Sequence, residues 1–250
     1  MTPSDTVTEG HLLGGRVRYT QPASGFRSGI EPVLLAASIP ARAAQRVVEG
    51  GTGAGAALLC LTARVPSVTG CGIEVDPAQA ALATANMAAN GMAGLRMVAG
   101  DISSVVLDGL FDHAFANPPY HPETGSPSPD PGRALAKRGA SNLFGVWAAS
   151  LGRCLRARGT LTFILPAATL PACLAAMSAA GCPAEVIFPL WPKSDAAAKL
   201  VIVRGIKAGR GPMRLLSGLV LHEPDGGFST AADAILRGGR PLALARSADH

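Results

Sequence analysis

From Gln45 onward, apolar runs of strand length alternate with amphipathic or Ala-rich stretches of helical length. Alternation of that kind marks βαβ units and a parallel sheet, so the expected class is α/β. Strands are expected near Arg46–Glu49, Thr69–Glu74, Leu95–Ala99, Asp112–Ala116, Thr160–Leu165, Ala184–Leu190 and Lys199–Gly205. Helices fill the gaps, among them Ala56–Arg64. Asp76-Pro77 supplies an N-cap and a first-turn proline for a helix running to about Asn90-Gly91, where glycine stops it. Ile30–Ile39 reads as a short apolar helix ahead of the sheet, and Thr230-Ala231-Ala232-Asp233 resembles a capping box opening a last helix toward Arg237. The organisation is then one domain: an extension over 1–44, and a main unit over 45–250 that ends in a C-terminal extension.

Two stretches resist this scheme. Between His121 and Gly132 stand Pro122, Pro127, Pro129 and Pro131 with Gly125, Ser126 and Ser128, so neither helix nor sheet is expected there. A loop of that length in a compact domain is commonly a lid, a binding loop or a disordered segment. Gly159–Ala184 is uncharged and long enough to span a bilayer. Pro166 and Pro171 interrupt it, however, and Thr160–Leu165 reads better as a buried strand before a short Ala-rich helix. The mean hydropathy of +0.29 then reflects abundant alanine.

Composition narrows the function classes. With 48% apolar residues and 20 Pro plus 30 Gly in 250 residues, the chain is globular rather than disordered. Its first ten residues carry Asp5 and Glu9, no Lys or Arg and no apolar run, so no targeting segment is expected and the compartment is the cytoplasm. Cys60, Cys71, Cys154, Cys173 and Cys182 form no C-x-x-C pair and have no histidine at metal spacing, which points to buried free thiols rather than a metal site or disulfides. Net charge is +5, unevenly spread. From Arg133 to Arg214 twelve basic residues face two acidic ones, a net +10, while the remainder carries −5. Such asymmetry fits a polyanionic partner, nucleic acid first, with Arg133, Lys137 and Arg138 as the leading contacts beside the Pro-rich loop.

Four strand ends carry candidate chemistry. Val47-Val48-Glu49-Gly50-Gly51-Thr52-Gly53-Ala54-Gly55 is a strand followed by a glycine-rich turn, in which Gly51, Gly53 and Gly55 would let backbone approach a ligand. Glu74 ends the second strand 19 residues past Gly55, where a carboxylate can accept both hydroxyls of a ribose. Asp101 ends the third, placed either to accept from an adenine amine or to cap the next helix. Asn117-Pro118-Pro119-Tyr120 ends the fourth. Its prolines donate no N–H, leaving the Asn117 amide oxygen and the Pro118 carbonyl as paired acceptors for one –NH₂ group, with Tyr120 offering a stacking face. In an open parallel sheet these ends share one crevice.

That constellation resembles the motifs of S-adenosylmethionine-dependent amino-methyltransferases, and more closely those of the bacterial tRNA(Val) adenine-N6 methyltransferase family. The likeness extends from Leu13-Gly14-Gly15-Arg16 and Gly25-Phe26-Arg27-Ser28-Gly29-Ile30-Glu31, through the four motifs, to Leu219–Gly226. It implies a Rossmann-like, seven-stranded, mostly parallel sheet with helices on both faces, the class I methyltransferase fold, and S-adenosyl-L-methionine as cofactor. It also implies roles for single residues. Glu49, Gly51, Gly53 and Gly55 approach the cofactor, Glu74 holds its ribose, Asp101 and Ile102 frame its adenine, and Arg27, Ser28 and Gly29 close over its methionine end. The extension over 1–44 then packs on the cofactor site. Glu49 replaces a more common Asp, and His121 stands where relatives often carry Phe.

The expected activity is methyl transfer to an exocyclic adenine amine of structured RNA, tRNA first, with Asn117, Pro118, Pro119 and Tyr120 as the catalytic group and no metal or membrane involved. A glutamine-N5 methyltransferase of release factors would need the same acceptor geometry, but the charge excess and only about 45 residues ahead of the sheet speak against it. A non-catalytic RNA-binding module is the alternative from another class.

Overall fold

The computed structural model describes residues 7–23, 29–119, 143–242 and 244. A hairpin comes first, β1 (Val7–Leu12) antiparallel to β2 (Val17–Pro22). The main sheet uses β3 (Arg46–Gly50), β4 (Thr69–Glu74), β5 (Leu95–Ala99), β6 (Phe111–Ala116), β7 (Leu155–Pro166), β8 (Ala184–Trp191) and β9 (Leu200–Ile206) in the order β8-β9-β7-β6-β3-β4-β5. Only β9 runs against its neighbours, pairing antiparallel with both β7 and β8. Two-residue strands, β10 (Arg214–Leu215) and β11 (Leu219–Val220), extend the outer side of β8 in parallel. The seven expected strands are thus all present, and the fold is α/β with a mostly parallel sheet.

The strands read as continuous apolar runs because both faces are covered. Neighbouring residues alternate between two cores: Val47, Phe115, Ile164 and Ile202 face one, and Val48, Ala114, Phe163 and Val203 the other. The first core takes the hairpin, α1 (Glu31–Ser38), α2 (Ala56–Arg64), α6 (Thr230–Leu236) and Met87 of α3 (Pro77–Ala89). The second takes a helix over residues 143–153, here α4, and α5 (Leu170–Ala179). The uncharged stretch 159–184 is therefore strand and short helix, and among the described residues no helix is long and apolar enough to cross a membrane. All five cysteines are free; four are buried and Cys154 is half-buried.

Helix starts follow local chemistry. Asp76 Oδ1 accepts from the Ala78 amide at 2.8 Å, the expected cap of α3. The cap of α6 is displaced by one residue from the expected Thr230: Ser229 Oγ accepts from Ala232 N at 3.1 Å. Asp233 consequently falls one turn inside the helix, where it pairs with Arg237 at 3.2 Å instead of closing a capping box.

Candidate active site

Parallel register lines up the carboxyl ends of β3, β4, β5 and β6: Gly50 pairs with Ile73 and Ala116, and Glu74 with Ala99. The turns that follow therefore emerge at one edge. The glycine-rich turn is fastened to its neighbour by Thr52 N donating to Ile73 O at 3.1 Å and Gly53 N to Glu74 Oε2 at 2.8 Å. The other oxygen of Glu74 accepts from Asp76 N at 3.0 Å. A carboxylate has room for further donors, since two oxygens offer about four lone pairs.

Two glycines in this turn are required for different reasons. Gly51 has φ +61°, and a Cβ there would lie 2.6 Å from the Trp147 ring, so its hydrogen faces an indole rather than a ligand. Gly53 has φ +55°, and a Cβ would meet nothing within 4 Å. The turn thus leaves open space beside the Gly53 α-carbon, while the Gly51 α-carbon packs on Trp147.

Beside the turn lies a recess of about 460 Å³, its open mouth included, lined by Tyr19, Gln21, Glu49, Gly51, Gly53 and Asn117 among others. Glu49 is 3% exposed, and its Oε2 has no hydrogen-bond partner. Burial, with the Glu74 charge adding to it, holds the Glu49 carboxyl well above the usual carboxylate range. A buried acid with one oxygen unpartnered, on an opening, suits a ligand with a cationic group. Ionising it without one costs stability: that contribution is full below the ordinary glutamate value and is lost as pH rises through the raised one. Glu49→Gln should therefore stabilise the ligand-free protein by about 1–3 kcal/mol at neutral pH and flatten its pH dependence, read as thermal midpoints at pH 5 and pH 8. An unchanged midpoint at pH 8 would show that the acid finds a partner.

The other expected residues are more dispersed. Asp101 closes a turn rather than the expected helix, since no helix stands between β5 and β6: its Oδ1 accepts from Ser103 N at 2.7 Å, and the Ser103 hydrogen bonds hold its carboxyl below the usual range. Ile102 packs under the turn, 2.5 Å from where a Gly50 Cβ would stand. Gly55 caps α2 next to Ala83. Gly29 lines a separate apolar opening with Leu13, Val33 and Phe228. Pro118 is buried and Pro119 exposed at the end of β6. Arg27, Ser28, Tyr120, Arg133, Lys137 and Arg138 lie outside the described residues. Among the described residues no cluster of His, Cys, Asp or Glu could hold a metal ion.

Among the described residues, the basic half does not form one face. Arg153, Arg156 and Arg158 stand where β7 begins, and Lys207 where the reversed β9 ends, at the edge opposite the recess. Arg156 there pairs with Asp112 at 2.5 Å. Lys199 precedes β9 at the recess edge. Arg204, 8% exposed, donates to the Leu244 carbonyl at 2.9 Å, so its charge serves the fold. Sequence reasoning also missed Tyr19, Gln21 and Trp147 as site neighbours. The alternation in Val17-Arg18-Tyr19-Thr20-Gln21 was the available signal for the first two.

Residues 30–143, a little under half of the chain, match the family "Methyltransferase small domain". A tRNA1(Val) (adenine(37)-N6)-methyltransferase of Shewanella sp. (strain W3-18-1) is 30% identical over 151 residues, which span 58% of this chain and 63% of that relative. The match thus leaves over a third of the relative's length uncovered. Among solved structures, a "predicted O-methyltransferase" of Agrobacterium tumefaciens superposes with a TM-score of 0.71 at 22% identity, covering 87% of this chain and 99% of that one. A TehB-like SAM-dependent methyltransferase of Corynebacterium glutamicum gives 0.50 at 16%, over 72% and 89%. The chain carries the fold of the class I S-adenosylmethionine-dependent methyltransferases.

Proposed function

We propose that this chain transfers a methyl group from S-adenosylmethionine to an exocyclic adenine amine of structured RNA, and of tRNA in particular. The observation that carries the reading is the shared recess: Glu49, the open Gly53 backbone and Asn117 all line it. The cofactor's ammonium and sulfonium answer the unpartnered Glu49, and its ribose hydroxyls answer Glu74. In this reading Asp101, with one oxygen taken by Ser103, and Ile102 would frame the adenine, and Arg27–Gly29 would close over the methionine end. Bound there, S-adenosylmethionine supplies a methyl group already activated on sulfur, so the protein's contribution is position and electrostatics.

An aryl amine is a weak nucleophile because its lone pair is delocalised. Asn117 Oδ1 and the Pro118 carbonyl would each accept one of its hydrogens, turning the lone pair toward the methyl group and stabilising the positive charge that develops on nitrogen. Pro119 keeps the turn rigid, and Tyr120 stacks the base. A paired adenine cannot reach such a site, so the substrate base must be unstacked or flipped out. The names of the sequence relatives and the basic excess support RNA as substrate.

Nucleoside mass spectrometry of tRNA and rRNA, with and without the gene, tests the reading. One methylated adenosine should disappear; an unchanged methylation profile would overturn it. For the RNA contacts, affinity should fall steeply with salt, and neutralising Arg133, Lys137 or Arg138 should each reduce the slope of log K against log salt by about 1. Arg156→Ala, at the far edge, should leave that slope unaltered. Equal slopes for all four variants would count against those three residues.

A further inference from the structure

The outer side of β2 is a strand edge, and such edges expose unpaired N–H and C=O groups. Here α3 closes it with two asparagines. Asn90 Oδ1 accepts from Arg18 N at 2.9 Å and its Nδ2 donates to Arg18 O at 2.8 Å. Asn86 repeats the pattern one turn earlier: Oδ1 accepts from Thr20 N at 3.0 Å and Nδ2 donates to Thr20 O at 2.8 Å. A side-chain amide carries one acceptor and two donors, so it can pair with a residue's N–H and C=O as a neighbouring strand would. The spacing also fits, because residues four apart on a helix rise about 6 Å and residues two apart on a strand about 6.7 Å.

Asn86 differs from Asn90 in its last hydrogen. While Asn90 Nδ2 turns back to Asn86 O within the helix, Asn86 Nδ2 donates to Ala54 O at 2.9 Å, inside the glycine-rich turn. Asn86 is 3% exposed, with both amide hydrogens donated and its oxygen accepting. Its two partners belong to two segments that both wall the recess: β2 contributes Tyr19, Gln21 and Pro22, and the turn contributes Gly51, Thr52, Gly53 and Ala54.

We infer that Asn86 is a positioning residue that ties the N-terminal hairpin to the glycine-rich turn, so that the two walls of the cofactor recess are set as one unit. Asn90 anchors the same strand without reaching the turn. The inference rests on the methyl-transfer reading for what fills the recess. It makes the hairpin part of the cofactor site's frame, through one side chain that touches no ligand.

Calorimetric titration with S-adenosylhomocysteine separates the two asparagines. Asn86→Ala should weaken binding about tenfold or more, on the scale by which misplacing one wall of a site is felt, while Asn90→Ala stays within about twofold, with both variants folded by circular dichroism. Equal affinities in Asn86→Ala and the parent, or an equal loss in Asn90→Ala, would overturn the inference. A parent that does not bind S-adenosylhomocysteine would instead remove the methyl-transfer reading. Should Asn86→Ala not fold, amide exchange on the parent decides. Added S-adenosylhomocysteine should protect the amides of Arg18 and Thr20 together with those of Gly53 to Ala57, and protection of the turn alone would refute the tie.

Discussion

Asn117→Ala should slow single-turnover methyl transfer to bulk tRNA by about 10²- to 10³-fold while leaving S-adenosylmethionine affinity within about twofold. Its amide oxygen is asked to strengthen a hydrogen bond only as charge builds on the attacking nitrogen, so its loss falls on the transition state and not on the bound cofactor. The residue follows β6 and lines the recess with Glu49 and Gly53. The backbone of the glycine-rich turn is fastened by Ile73 and Glu74 through Thr52 N and Gly53 N. Asn117→Asp is the sharper variant, since it keeps an acceptor and adds a charge, and it should retain part of the rate. Cofactor titration beside single-turnover kinetics yields both numbers. A folded Asn117→Ala enzyme that methylates at the parental rate would reduce Asn117-Pro118-Pro119-Tyr120 to a rigid turn.

Glu74→Ala should weaken S-adenosylmethionine binding by about 2–3 kcal/mol, the scale of losing charge-assisted hydrogen bonds. Two effects contribute. The carboxylate is the expected ribose acceptor, and the same group holds Gly53 N and Asp76 N at 2.8 and 3.0 Å, so its removal also loosens the turn that faces the recess. Glu74→Gln keeps one acceptor oxygen but sets a donor against one of those amides, and should fall between Ala and the parent. Calorimetry on folded variants ranks the three. An alanine variant that binds as the parent does would exclude Glu74 from the cofactor site.

How far the sequence reached can be judged element by element. The strands Thr69–Glu74 and Leu95–Ala99 have the expected bounds, and the uncharged run Thr160–Leu165 lies wholly buried inside β7 because a strand covered on both faces leaves no room for charge. Asp76-Pro77 marks the start of α3 because capping depends on atoms two residues apart. The cap of α6 moved to Ser229 because Ser229 Oγ also donates to Val220 O at 2.6 Å, a contact made across nine residues. Asp101 binds Ser103 N as a cap would, but the turn it closes does not continue into the expected helix.

The candidate site divides along the same line. Gly53, Glu74 and Asn117 were readable because each ends a strand, and parallel register delivers strand ends to one edge whatever the loops do. Tyr19, Trp147 and the Asn86 bridge were not, since each reaches the site from a distant stretch of chain: Asn86 meets Thr20 across 66 residues and Ala54 across 32. The +10 half shows the same limit from the other side. Charge along a chain is a sum, whereas a binding face is a direction, and the reversal of β9 sends Lys199 to the recess edge and Lys207 to the opposite one. The local code thus fixed the strands, the helix starts and the edge on which chemistry gathers, because these depend on period and on neighbours a few residues away. Which side chains wall the recess, which acid stays buried without a partner and where the cations point were set by packing between segments far apart in the chain, and no window of sequence contains both sides of those contacts.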